Sequence, residues 1–263
     1  MMTLSRIFSC AILMMTMSHL SAQCVVVTDE LRIAAGTMAG NCGTVSYQGY
    51  DYQTVIVGDQ CWFAENLRSE NYANGNAIPA GLSDGDWSST TLGAVAVYGE
   101  GASTCNTNAP DGDACDDAWS LTQYGRLYNW YAVDDARGLC PSGWHVPTDE
   151  EWKAMEMALG MSQAEADGTG WRGTDEGSQM KATSGWSSTG NGTNSSDFSA
   201  LPGSGRAFNG AFDGAGNAAG WWTSSINGGQ AWFRYLYSSQ DGVVRNPDFW
   251  RSGWSVRCVQ DAD

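Results

Sequence analysis

Beyond its N-terminal segment the chain lacks any run approaching the roughly 18 to 20 apolar residues that a membrane-spanning helix requires. Basic residues are scarce, with 13 Lys and Arg against 29 Asp and Glu, for a formal net charge of −16. A surface this negative repels phosphate backbones and anionic lipid, which argues against nucleic acid and simple membrane-surface partners. Histidine is scarcer still, at two residues, His19 and His145. If His19 departs with a leader, only His145 remains, which excludes a multi-histidine zinc site. Any Ser-His-Asp or Cys-His arrangement would have to use that one ring. No Cys-x-x-Cys pair occurs, so the familiar zinc and redox spacings are missing as well.

What the chain does have begins with "MMTLSRIFSCAILMMTMSHLSA" (1–22), with one positive charge at Arg6, an apolar stretch and then small residues. This pattern predicts a secretory signal peptide cleaved between Ala22 and Gln23. Cys24 stands near the position of a lipidated cysteine, but Gln23 suits that processing poorly. Residues 23–44 then form a short N-terminal segment and 45–261 a single domain, since no linker or internal repeat divides them. The expected location is the exterior, secreted or on the cell surface. Seven of the eight cysteines follow the leader. In an exported protein they are expected to form disulfides, the odd count leaving one over. Cys105 and Cys115, flanking "NTNAPDGDA", are placed to close a local loop.

"SYQGYDYQTVIVGDQCWFAENL" (46–67) alternates as a β-hairpin should, with Gly58-Asp59 as its tight turn. Residues 68–123 read as a long irregular region. "YGRLYNWYAVDDARG" (124–138) has Leu127, Trp130 and Tyr131 at helical spacing and predicts a short helix. A second helix is predicted from Thr148, which makes a capping box with Glu151, presents Trp152, Met155 and Leu159 on one face and ends at Gly160. "AWFRYLYSS" (231–239), "VVRN" and "GWSVRCVQ" (253–260) read as antiparallel strands. With 33 glycines and 13 tryptophans, loops held by large aromatic anchors are expected to form much of the core.

"QTVIVGDQCWFAENL", "YGRLYNWYAV", "CPSGWHVPTDEEW", "FSALPGSGRAFNGAF", "GWWTSS" and "GWSVRCV" occur in the order expected of the Fibrobacter succinogenes major paralogous domain family, which the chain resembles over about 45–261. That family looks like a branch of the C-type-lectin-like fold. The resemblance implies an α+β architecture, with two helices flanking a small twisted antiparallel sheet, long irregular loops and neighbouring termini. It also implies a bridge between Cys140, ahead of the second helix, and Cys258, in the final strand. For the remaining cysteines we expect Cys24 with Cys42, leaving Cys61 unpaired.

The acidic loop 106–117 supplies Asn106, Asn108, Asp111, Asp113, Asp116 and Asp117, hard oxygen ligands of the kind Ca²⁺ takes, although the spacing is not that of an EF-hand. The alternative is a solvated acidic loop. "RNPDFW" (245–250) resembles the Pro-centred amide and carboxylate motif of calcium-dependent lectins, but no Trp-Asn-Asp triplet follows. Trp221, Trp222 and Trp232 lie close in sequence to Asn227, Gln230 and Arg234, and Trp250 and Trp254 follow later. Flat rings beside hydroxyl-binding groups would suit a sugar, although tryptophans of this size more often belong to a core. His145, in a Pro-flanked turn, reads as a hydrogen-bonded structural residue. The leading expectation is a non-catalytic surface or extracellular binding and adhesion protein for carbohydrate or another exterior polymer. The alternatives are a relative of the formylglycine-generating oxidases and a purely structural envelope or matrix component.

Overall fold

The computed structural model describes residues 42–102, 105 and 109–262, so the leader, Cys24, Asn106 and Asn108 lie outside the described residues. The described part opens with a meander, β1 (Thr44–Tyr47), β2 (Tyr50–Val57) and β3 (Gln60–Phe63). Next come α1 (Asp84–Ser89), β4 (Val95–Ala96), α2 (Asp117–Tyr124), β5 (Leu127–Asn129) and α3 (Trp130–Val133). β6 (Trp144–His145) then leads into α4 (Asp149–Ala158), α5 (Gln163–Ala166), β7 (Gly170–Arg172) and α6 (Glu176–Met180). The remainder is strand: β8 (Gly205–Arg206), β9 (Phe212–Asp213), β10 (Ala218–Asn227), β11 (Gln230–Tyr237), β12 (Val243–Asp248), β13 (Gly253–Trp254) and β14 (Val259–Gln260).

These strands form three sheets, ordered β1-β2-β3-β14-β6, β10-β11-β12-β7 and β4-β5-β13-β8-β9. The expected α+β, C-type-lectin-like fold with two helices is therefore overturned. The protein is β-rich, and its described helices are six short pieces of which α4, at 10 residues, is the longest. The helix expected over 124–138 shows why. Gly125, with φ 72°, terminates α2 through its N–H to Leu121 O. Residues 127–129 are then drawn into strand pairing with β4 and β13. Asn129 has to restart the helix, its side chain accepting from Ala132 N, and α3 lasts only 4 residues. Long-range pairing here outweighs helical spacing.

Two local expectations hold. The β2–β3 hairpin pairs Val57 with Gln60 across the predicted Gly58-Asp59 turn. α4 begins at the predicted capping box, Thr148 Oγ1 accepting from Glu151 N while Glu151 Oε2 accepts from Thr148 N. Its Trp152 is fully buried, 5.0 Å from Trp62 between ring centroids.

The core is built on both sides of the β10 sheet. Trp222 and Ala231 belong to one apolar cluster, with Tyr52, Phe63, Tyr128 and Trp130. Trp221 and Leu236 belong to another, with Trp62, Trp152 and Phe198. A third cluster gathers Trp87, Tyr98, Tyr124 and Phe212.

Three disulfides tie the described chain together. Cys140–Cys258 and Cys105–Cys115 form as expected, each with Cα atoms 5.9 Å apart. Cys42 joins Cys61, 6.2 Å away between Cα atoms, which corrects the expected Cys24–Cys42 pairing. The meander is the reason, since β1 and β3 both flank β2 and bring residue 61 back to the start of β1.

Candidate functional site

The late strands expose an aromatic surface, although not through the residues expected. Alternation along β11 directs Phe233, Tyr235 and Tyr237 to one face and Arg234 and Leu236 to the other. On the first face Tyr235 and Tyr237 stack at 6.2 Å, and Trp171 of β7 stands 6.4 Å from Tyr235. Trp254 of β13 stacks on Phe233 with centroids 5.0 Å apart and planes 17° apart. Its ring lies on Gly205 and Gly220, where an added Cβ would come within 2.4 Å of ring carbons. Only glycine leaves room for the ring at these two positions.

The half-buried Trp254 forms one wall of a cleft of about 220 Å³, whose lining includes Phe208, Asp213, Asp248 and Ser252. Phe208 of the lining, 48% exposed, meets Phe249, 51% exposed and next in sequence to Asp248, edge to face at 5.1 Å. Asp248 anchors the wall, its Oδ2 accepting from Trp254 Nε1 at 2.7 Å and its Oδ1 from Phe249 N at 2.7 Å. Burial, with Tyr237 and Asp213 adding to it, pushes the nearby Tyr235 hydroxyl up to about 12, so it remains a hydrogen-bond donor. None of the residues lining the cleft is basic. Apolar ring faces beside carboxylate acceptors suit a neutral, hydroxyl-rich ligand and oppose an anionic one.

Most of the expected ligand residues lie elsewhere. Trp221 and Trp222 are fully buried, their indole N–H groups donating to Asn66 Oδ1 and Tyr128 O, so neither can stack on a ligand. Alternation sends them to opposite faces of β10, but both faces are covered by core. Trp232 is half-buried beneath the Arg245 guanidinium, 3.7 Å from its ring centroid. Arg234, also fully buried, pairs with Glu156 at 2.6 Å and Asp149 at 2.8 Å. Asn227 and Gln230 pair across the β10–β11 turn, the first exposed and the second partly so. Trp250 stacks on Trp130 at 5.3 Å.

Arg234 belongs to a buried ionic network that the sequence does not reveal. Glu156 also receives Arg172 at 2.7 Å, and Asp149 receives Arg245 at 2.6 Å. Burial opposes ionisation of Asp149, but Arg245 and Arg234 together hold its carboxyl below the usual range. Arg245 of the network is also the first residue of "RNPDFW", but the motif's amide, proline and carboxylate lie outside the network. Residues 245–248 are strand, Pro247 pairs with Trp232, and Asn246 Oδ1 accepts from Gly170 N.

The acidic loop is exposed at Asp111, Asp113, Asp116 and Asp117. Asp116 caps α2 by accepting from Trp119 N, Asp113 accepts from Cys115 N, and Asp117 lies in the helix's first turn. Burial, with Glu100 and Asp116 nearby, raises the Asp117 carboxyl above its usual range. Among the described residues no group of three or more His, Cys, Asp or Glu is arranged to hold a metal ion.

The carboxylate of "RNPDFW", Asp248, does line this cleft, whereas nothing in the sequence marks Phe208 or Phe249 as ligand residues, although they fall within "FSALPGSGRAFNGAF" and "RNPDFW". Their signal was an aromatic next to a turn and a carboxylate, which is weak without knowing which ring stays outside. A β-rich, disulfide-tied scaffold with six short helices thus presents an aromatic cleft. A family model, the Fibrobacter succinogenes major domain, matches residues 55–260, and the chain belongs to that family. No curated protein and no solved structure matches it.

Proposed function

We propose that this is an exported binding protein of the cell surface or surroundings that holds a neutral carbohydrate in the cleft between Phe208, Phe249 and Trp254. The observation carrying this reading is the combination of exposed rings and two carboxylates in a cleft without basic lining residues. Rings offer flat apolar faces to sugar C–H groups, and carboxylates accept from hydroxyls. Export is supported by the three disulfides, which persist in oxidising surroundings. No described helix is long and apolar enough to cross a membrane. A binding role is favoured over oxidase chemistry because Cys258, which would have to be reactive, is buried and bridged to Cys140.

A glycan array spanning neutral and acidic polymers, run with and without a calcium chelator, tests the reading. Neutral glycans should bind. Phe208→Ala and Phe249→Ala should each weaken that binding about tenfold, roughly 1.4 kcal/mol. Their stability should stay within about 0.5 kcal/mol of the parent, as for other exposed sites. Unchanged affinity in both variants would remove the cleft as the binding site. Loss of binding on chelation would bring calcium, and with it the acidic loop, into the mechanism.

A further inference from the structure

A second pocket, beside the core cluster containing Trp221 and Phe198, has the opposite electrostatic character. Arg257 is 2% exposed, and its guanidinium lies 3.9 Å from the Phe198 ring centroid. Its Nε donates to Asn66 Oδ1 at 2.9 Å, its Nη1 to Phe198 O and its Nη2 to Ser199 O at 3.3 Å. A guanidinium has five N–H donors, so these bonds leave part of its capacity unused. No carboxylate lies within ion-pair distance of it among the described residues. Burial pulls its pKa down to about 9, with the Glu65 charge partly opposing that shift.

Arg257 lines a pocket of about 150 Å³ together with Arg68 and Glu65, and the exposed Thr122 and Gln123 also border it. Arg68 donates through Nη1 to Leu121 O at 3.0 Å and through Nη2 to Glu65 Oε2 at 3.2 Å, but its Nε is buried without an acceptor. Two guanidinium groups and one carboxylate leave this pocket with one net positive charge, in a chain whose formal net charge is −16. Buried charge is costly unless it is paired, and a guanidinium fork matches the two oxygens of a carboxylate.

We propose that this pocket is a binding site for the carboxylate group of a small organic acid or an acidic sugar, held between Arg257 and Arg68. A monoanion cancels the pocket's charge, whereas a dianion exceeds it. Water takes about 30 Å³ per molecule in the liquid, so the volume is enough for a compact acid of a few heavy atoms. The site does not depend on the aromatic cleft, which has acidic lining and favours neutral ligands.

Calorimetric titration of the full chain with acetate, acetamide, glucuronate, glucose and phosphate tests the proposal. Acetate should bind and acetamide, its neutral counterpart of the same shape, should not. Glucuronate binding where glucose does not would place acidic sugars among the ligands, and acetate binding alone would confine the site to short acids; both results sustain a carboxylate site. Arg68→Gln should weaken acetate binding at least tenfold. Gln123→Glu, at an exposed position where folding is not at stake, should weaken it several-fold by adding a negative charge at the rim. Phe249→Ala should leave it unchanged, which separates this site from the cleft. Equal binding of acetate and acetamide, no binding of either, tighter binding of phosphate than of acetate, or indifference to both rim and Arg68 variants would each overturn the proposal.

Discussion

At the scale of single residues, His145 is a clear instance of a side chain whose surroundings set its charge. Its Nε2 lies 2.8 Å from Glu151 Oε1 and its Nδ1 2.6 Å from Asp261 Oδ1. With a carboxylate at each nitrogen, the doubly protonated ring can donate to both. The Glu151 bond, opposed by partial burial and aided by Asp261, raises its pKa from 6.5 to about 9. A folded-state pKa above the unfolded value means that the stabilisation is complete below pH 6.5 and disappears as pH rises through about 9. Thermal unfolding of the parent and His145→Gln across this range should show a gap that is widest at the acid end and closes above about 9. A gap independent of pH would mean that packing, not charge, is what His145 contributes. The ring is about one-third exposed, so solvent screening keeps the effect modest.

At the scale of elements, the start of α4 shows how a short sequence signal can set a boundary. Thr148 and Glu151 satisfy each other's backbone donors, and Glu151 is in addition the partner of His145, so the cap also fixes β6 against the helix. Thr148→Ala should cost about 1 kcal/mol, read as a lower urea midpoint with unchanged slope. A changed slope would show that more than the cap had been lost. The segment 124–138 had helical spacing of similar quality, yet it was divided among a helix end, a strand and one new turn. The difference is that α4 can form from its own residues, while β5 gains partners on both sides from β4 and β13.

At the scale of the molecule, β14 lies between β3 and β6, so the last strand closes the sheet begun by the first hairpin. Cys140–Cys258 secures that closure across 118 residues, compared with 19 for Cys42–Cys61 and 10 for Cys105–Cys115. Replacing Cys140 and Cys258 together by Ala should cost about 2–5 kcal/mol, and in the chain-entropy account more than removal of either short-loop bridge. Calorimetric unfolding of the three paired variants checks that order. An equal loss for all three would mean that loop length does not govern their contribution.

Family membership, acidity, the first hairpin, the α4 cap and two of the three disulfides were legible in the sequence because each rests on local pattern, composition or ordered motif blocks. The fold class and the identity of the solvent-facing rings were not. Trp221, Trp222 and Trp254 are chemically alike, and periodicity states only that neighbours in a strand face opposite ways. What covers each face depends on segments far away in the chain: α4 and Phe198 over Trp221, Tyr128 and its neighbours over Trp222, and Phe233 on Trp254, which also borders the open cleft. The same holds for Arg234, which is a surface residue by composition and a buried ion by tertiary contact with Asp149 and Glu156. Burial is a property of two packed surfaces, and a sequence read along one strand contains only one of them.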